Sequence, residues 1–94
     1  IRDWGRSALS GRYAAAGVAH DLEAAMATVD VEARAAVMTH DWLAPASSTR
    51  FLLSKLPHTR HRIGALDSPV LGTRADHFGW MKQPEAVVAA LLRP

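Results

Sequence analysis

Apolar residues recur at helical spacing in several segments of the chain. Leu22 to Val29 places its apolar residues at positions i, i+3, i+4 and i+7, and Asp21 just before it can cap the first turn. Pro84 to Leu92 has a similar apolar stripe and begins with proline, which suits the first turn of a helix. Asp3 to Leu9 has weaker helical character and is ended by Ser10-Gly11. The pattern therefore predicts helices near both ends of the chain.

Two short segments have the length and composition of β-strands. Ala33 to Thr39 is largely apolar, which suits a buried parallel strand, although its alanine content leaves a helix as an alternative. His58 to Leu66 alternates between its two faces, as a second strand would. Between them, Ser47 or Ser48 can cap a helix that runs to Leu56.

This order of elements predicts an α/β fold that contains a βαβ unit with flanking helices and a right-handed crossover. After the second strand, Asp67 to Asp76 contains Pro69 and Gly72 and is expected to be an irregular loop. Two parallel strands do not form a stable sheet alone, since parallel sheets are covered on both faces and normally contain more strands. The pattern therefore predicts that the complete sheet has strands beyond these two.

Composition narrows the possible functions. The 94 residues are 49% hydrophobic, which is ordinary for a globular chain, and the net charge is +2. The basic residues form no clustered stripe, which argues against nucleic-acid binding. No apolar run approaches the roughly 18 to 20 residues of a membrane span, and no signal-peptide pattern opens the chain. Cysteine is absent, so we expect a cytoplasmic protein without disulfides, and nothing in the chain calls for a cofactor.

An acid and a histidine follow the two predicted strands. Asp41 lies just past the end of the first strand, and His77 follows the second strand and its loop. Structural roles are the alternative, with Asp41 as a turn or cap residue and His77 as a packed loop histidine. The carboxyl ends of parallel strands meet at one edge of a sheet, where ligands and reactive groups gather. We therefore expect the carboxylate to lie within hydrogen-bonding reach of the imidazole, an arrangement that can orient the ring and let it move a proton.

The sequence around both residues resembles a known family. The stretch from His40 to Pro45 (HDWLAP) is similar to the segment after the penultimate core strand of α/β-hydrolases. The stretch from Asp76 to Met81 (DHFGWM), followed by Gln83-Pro84-Glu85 and a helix, looks like the catalytic-histidine loop and final helix of that fold. Asp3-Trp4 and Gly11-Arg12-Tyr13 are similar, more weakly, to the end of a cap insertion.

The resemblance implies a division of the chain and a role for each residue. Residues 1–30 would be the tail of a cap- or lid-like helical segment, and residues 31–94 the C-terminal part of an α/β-hydrolase core. Asp41 would be the acid and His77 the base of a catalytic triad, in an esterase-, lipase- or peptidase-like serine hydrolase that acts on a small ester or amide.

The nucleophile of such a triad is missing from this sequence. The nucleophile elbow G-x-S-x-G does not occur, and in the family it precedes the acid. Its place would lie upstream of Ile1, and a first residue other than methionine fits that expectation. We therefore expect the chain to be the C-terminal piece of a larger enzyme, inactive without the N-terminal part of the same fold.

Other residues offer weaker candidates for chemistry. Asp76 is adjacent to His77, but neighbouring side chains on an extended loop usually point apart. His58 and His61 would face opposite sides of a strand, which disfavours a shared metal ion. His40 lacks the further ligands that zinc requires, so local hydrogen bonding is its expected role.

Three aromatic residues flank the acid and the histidine. Trp42, Phe78 and Trp80 could pack in the core, as aromatic residues often do in small domains, or could form an apolar wall for an acyl or alcohol group. The alternative to the hydrolase hypothesis is a small, non-catalytic α/β module that docks onto a protein partner through exposed tryptophan and arginine residues.

Overall fold

The computed structural model describes residues 1–94 and has a parallel pair of strands at its centre. The strands pair in a continuous register that runs from Glu32 opposite Arg60 to Met38 opposite Leu66. A short 3₁₀ helix, Gly79–Lys82, precedes the last α-helix. The other elements are α1 (Arg2–Ser10), α2 (Leu22–Thr28), β1 (Glu32–Met38), α3 (Ala46–Ser54), β2 (Arg60–Leu66), α4 (Ser68–Leu71) and α5 (Pro84–Leu92).

This architecture confirms the coarse prediction of a small α/β protein. The βαβ order is as expected, both strands lie within a few residues of their predicted positions, and helices flank the sheet. Asp21 caps α2 as predicted, since its carboxylate accepts a hydrogen bond from the Ala24 amide at 3.1 Å. None of the helices combines the length and apolar content needed to cross a membrane.

The prediction of an irregular loop from Asp67 to Asp76 is wrong over its first half. The Asp67 carboxylate accepts from the Val70 amide at 3.0 Å, Pro69 occupies the first turn, and Gly72 ends α4 with a φ of 83°. These are ordinary helix start and stop signals compressed into one turn. The turn stabilises itself little, but it buries Leu71 in the core and is held there by packing.

Two smaller expectations also differ from the structure, and one short helix was not expected. Helix α3 begins at Ala46 with no side-chain cap, so neither Ser47 nor Ser48 caps it. It ends at Ser54, and β2 starts at Arg60, which leaves His58 in a turn. The 3₁₀ helix was not predicted, because its Gly-Trp-Met-Lys sequence has no apolar periodicity.

The core lies between the sheet and the C-terminal helices. Leu66, Leu71 and Ala75 form one buried cluster, and Trp80 packs against it. Met38 of β1 and side chains of α5 complete its partly buried rim. On the other side only Leu53, in α3, is buried. Four buried residues are few for a chain of this length, and many large apolar side chains are exposed.

The segment before β1 is joined to α3 by polar contacts. The Glu23 carboxylate accepts from Lys55 Nζ at 2.7 and 2.9 Å and from the Tyr13 amide at 2.8 Å. The hydrogen bond from Lys55 is the largest cause of a lowered Glu23 pKa. The Lys55 ammonium also lies over the Phe51 ring, 4.9 Å from its centre. These contacts position α2 beside the end of α3.

Near the start of the two strands, two arginines bind the end of α5. Arg34 on β1 donates to the Leu91 carbonyl at 3.0 Å, and Arg62 on β2 donates to the Arg93 carbonyl at 2.9 Å. Cations near the last helical carbonyls satisfy acceptors that lack intrahelical partners. Glu32 pairs with the Arg34 guanidinium at 2.8 Å and so helps to hold it in place.

Candidate functional site

The ends of both strands are tied together where the predicted site lies. After β1 the chain turns, with the Asp41 amide donating to the Met38 carbonyl at 3.1 Å. The His40 amide donates at 2.8 Å to the carbonyl of Ala75, which is fully buried in the segment after β2. This single backbone bond holds the segment that carries Asp41 against the segment that carries His77.

The acid and the histidine are in direct contact, as the strand order led us to expect. His77 Nδ1 lies 3.0 Å from Asp41 Oδ2 and 3.2 Å from Oδ1. The Asp41 side chain is only 8% exposed, whereas that of His77 is 42% exposed. A buried carboxylate therefore orients an imidazole whose other edge reaches the surface.

A backbone amide fixes the carboxylate as well. The Ala44 amide donates to Asp41 Oδ1 at 2.8 Å, which closes a turn over the residues between them. The sequence left a turn role for Asp41 open but did not identify Ala44 as the partner. An aspartate whose side chain bonds the backbone a few residues later is a common turn device, and the proline at position 45 reinforces it. The turn limits the rotation of the carboxylate independently of its contact with the imidazole.

The second nitrogen of the His77 ring, Nε2, lies on the side of the imidazole away from Asp41. Because Nδ1 faces an acceptor, the neutral ring carries its proton on Nδ1 and leaves a lone pair on Nε2. No protein group forms a hydrogen bond with Nε2. This is the geometry in which a histidine can accept a proton from a hydroxyl placed beside it.

Asp76 has a different role from Asp41. Its Oδ1 accepts from the Gly79 amide at 2.6 Å and from the Phe78 amide at 3.1 Å, so it caps the turn that follows His77. The Gly79 hydrogen bond is the main cause of a lowered Asp76 pKa, with further contributions from the Phe78 amide and the Arg74 guanidinium. The carboxylate that contacts the imidazole is that of Asp41.

The lowered Asp76 pKa predicts an acid sensitivity of this turn. Its stabilising contribution is complete above the ordinary pKa of 3.8 and is lost as the pH falls below that value through the lower folded-state pKa. We expect Asp76→Asn to lose less stability than the wild type over that acid range, measured as urea midpoints at each pH. Asp30→Asn changes an exposed carboxylate without a hydrogen bond and serves as the matched control. Equal acid sensitivity of Asp76→Asn and the wild type would contradict the assignment.

The three flanking aromatic residues are placed differently from one another. Trp80 packs against the core and lines a groove of about 410 Å³ together with Asp41 and His77. Phe78 is 65% exposed, and its ring meets that of His77 edge-on, with 4.9 Å between ring centres. Trp42 is 81% exposed. Of the predicted pocket wall, only Trp80 lines this groove; Trp42 and Phe78 neither line it nor belong to the core.

A second groove lies on the other side of the Asp41 turn. It has a volume of about 550 Å³ and runs between α1 and α3, where Trp4 and Phe51 form part of its apolar lining. Ala44 contributes to both grooves, so the turn that fixes Asp41 separates them. Only the first groove includes the acid and the histidine in its lining.

The three other histidines considered as candidates do not join this site. A ring nitrogen of His61 lies 3.0 Å from the Leu56 carbonyl, and His58 occupies the turn before β2. His40 contributes its backbone amide, as described above, while its side chain is exposed. No group of three or more metal-ligating side chains is assembled in the structure.

Comparison with known proteins identifies no relative: no family model, curated protein or solved structure matches this chain. The case for a function therefore depends on the residues and on their geometry.

Proposed function

We propose that this chain supplies the acid and the base of a serine-hydrolase triad whose nucleophile is carried by another segment of polypeptide. The observation that carries the proposal is the contact between the buried Asp41 carboxylate and His77 Nδ1 at 3.0 Å, with Nε2 free of protein partners. The segments around both residues resemble α/β-hydrolases, in which the triad acid also precedes the base along the chain. The proposal includes the α/β-hydrolase fold, of which this chain would form the C-terminal part.

In this mechanism His77 Nε2 removes the proton from a serine hydroxyl as the oxygen attacks an ester or amide carbonyl. Asp41 keeps the ring in the tautomer that leaves Nε2 basic, and it stabilises the imidazolium that forms. His77 then gives the proton to the leaving group and activates the water that releases the acyl group. Each step needs only proton transfer and acyl transfer, so no cofactor enters the scheme.

The serine must come from outside these residues. The groove beside His77 is lined by one hydroxyl, that of Thr49, and by no serine. The 94 residues contain no nucleophile elbow. We therefore propose that the chain alone is inactive, and that the missing serine approaches His77 from the exposed side of the imidazole.

The tautomer of His77 tests the proposal on the chain as it is. At about pH 8, where an ordinary imidazole is neutral, nitrogen NMR should find the proton on Nδ1. Asp41→Asn should shift the ring proton from Nδ1 toward Nε2. The asparagine amide can donate a hydrogen bond to Nδ1, whereas the carboxylate can only accept one. The tautomer of His61, which contacts a backbone carbonyl, should be the same in both proteins. A wild-type His77 that already carries its proton on Nε2 would contradict the proposed base.

A non-catalytic interaction module is the second candidate function. Trp42 at 81% and Trp4 at 75% exposure are large apolar side chains on the surface, which is typical of protein-binding sites. Treatment of a polypeptide that also contains the upstream segment with a fluorophosphonate probe distinguishes the two candidate functions. Serine labelling that requires His77 supports the hydrolase, and absence of labelling favours the module.

A further inference from the structure

The face of the sheet that packs against α5 has a gap between its apolar core and its arginines. Ala36 of β1 lies opposite Gly64 of β2. The next rung on the same face, Met38 opposite Leu66, packs in or against the core. At Gly64, by contrast, an added Cβ atom would meet nothing within 4 Å. A rung that carries one methyl group and no second side chain leaves space that neither strand fills.

This space belongs to a cavity of about 340 Å³ between the two strands and the end of α5. Val70 of α4 and Ala90 and Leu91 of α5 contribute to its apolar wall. Neither Asp41 nor His77 lines it, so it is separate from the proposed triad. Pockets that hold a small molecule have volumes of roughly 300 to 1,000 Å³ and mainly apolar walls, and this cavity has both properties.

The charged residues that line the cavity are all arginines, namely Arg34, Arg62 and Arg93. Arg34 and Arg62 lie opposite each other in the ladder, where like charges repel unless they are compensated. The carboxylate paired with them is that of Glu32, at 2.8 Å from Arg34 and 3.7 Å from Arg62. One carboxylate beside three guanidinium groups leaves most of this positive charge uncompensated.

These arginines keep N–H donors that the protein does not use. Arg34 donates through Nε and Nη1, and Arg62 through Nη1 and Nη2, which leaves Nη2 of the first and Nε of the second without a hydrogen bond. Arg93 takes part in these contacts only through its carbonyl oxygen, so its whole guanidinium is free. A planar guanidinium presents donors that match the two oxygens of a carboxylate.

Glu32 shows what this cluster does to a neighbouring carboxylate. Its pKa is lowered, first by the hydrogen bond from Arg34 and then by the charges of Arg34, Arg62 and Arg60. The start of the sheet therefore stabilises negative charge placed beside it.

We propose that this cavity binds a small carboxylate with a short aliphatic body, its oxygens on the guanidinium groups and its carbon chain over Gly64. The uncompensated positive charge favours an anion, and the apolar walls favour one that carries an apolar body. An inorganic ion would contact the arginines alone and leave the apolar part of the cavity empty. The inference concerns a site apart from Asp41 and His77, and it holds whether or not the chain belongs to a hydrolase.

Titration of the full chain with hexanoate at pH 7, followed by amide NMR, tests this site. We expect saturable shifts of the signals of Arg34, Gly64 and Arg93. Hexan-1-ol has the same carbon chain without the charge, and acetate has the charge without the chain. At equal ionic strength each should bind at least about tenfold more weakly than hexanoate, because each lacks one of the two interactions.

Two variants test the two parts of the cavity. Gly64→Val fills the space above the strand with a residue that suits a strand, so the chain should fold and bind hexanoate about tenfold or more weakly. Arg93→Gln removes a guanidinium that holds no other part of the fold, and it should weaken binding by about threefold to tenfold. Arg50→Gln changes an exposed arginine that does not line the cavity, and this matched control should bind hexanoate with wild-type affinity.

Three results would overturn the proposal. The first is the absence of saturable shifts at Arg34, Gly64 and Arg93. The second is binding of hexan-1-ol or acetate as tight as that of hexanoate, which would leave only an apolar surface or only a site for simple anions. The third is wild-type affinity of Arg93→Gln, a variant that keeps every backbone contact of the wild type, or of Gly64→Val that is folded by urea unfolding. All three can be read without any measurement of hydrolysis.

Discussion

His77→Ala is expected to reduce kcat by roughly a thousandfold or more when the chain is joined to the segment that carries the nucleophile. The serine hydroxyl would then lose the group that accepts its proton, and the leaving group would lose its proton donor. Asp41→Asn should cost a comparable factor, since a misoriented imidazole of the wrong tautomer cannot act as the base. Steady-state hydrolysis of a 4-nitrophenyl ester measures both losses.

His58→Ala is the matched control for this experiment. The side chain of His58 is exposed in the turn before β2, away from the Asp41 contact, so kcat should stay at the wild-type value. Combining His77→Ala with Asp41→Asn should cost little more than either change alone, because the two residues act as one unit. Full activity of His77→Ala would exclude the proposed mechanism, whatever the upstream segment contains.

The contact between Asp41 and His77 could be predicted because it follows from a general property of parallel sheets. Two adjacent parallel strands place their carboxyl ends at the same edge, so residues distant in sequence meet there. The apolar segments before Asp41 and His77 were sufficient to predict both strands. What the sequence pattern could not supply was the His40 amide bond to Ala75, which joins the two segments that follow the strands.

The features that the sequence did not settle depend on tertiary packing. Helix α4 is a single turn, and its burial of Leu71 becomes apparent only when the core is known. Trp42 and Phe78 were considered as core or as pocket wall; both are exposed, so neither packs in the core, and the pocket-wall role stays a prediction. A sequence pattern identifies an apolar side chain but not the neighbour that will cover it.

Gly79→Ala is expected to disrupt the segment that holds His77. A Cβ atom at this position would meet the Arg74 carbonyl oxygen well inside contact distance and Asp76 Oδ1 at 2.9 Å. The carbonyl belongs to the backbone and cannot rotate away, so the turn from Asp76 to Gly79 must open. Overpacking of this kind costs about 1 to 3 kcal/mol, a large part of the stability of so small a fold.

Gly64→Ala is the matched control, since a Cβ atom at that position in β2 meets nothing within 4 Å. Alanine should leave stability unchanged or raise it by about 0.5 to 1 kcal/mol, because glycine is unfavourable inside a strand. Urea unfolding with a constant m-value gives both changes in free energy. For Gly79→Ala, nitrogen NMR should also show a weaker preference of His77 for the Nδ1 proton. A lowered midpoint with an unchanged His77 tautomer would mean that the turn after His77 does not position the imidazole.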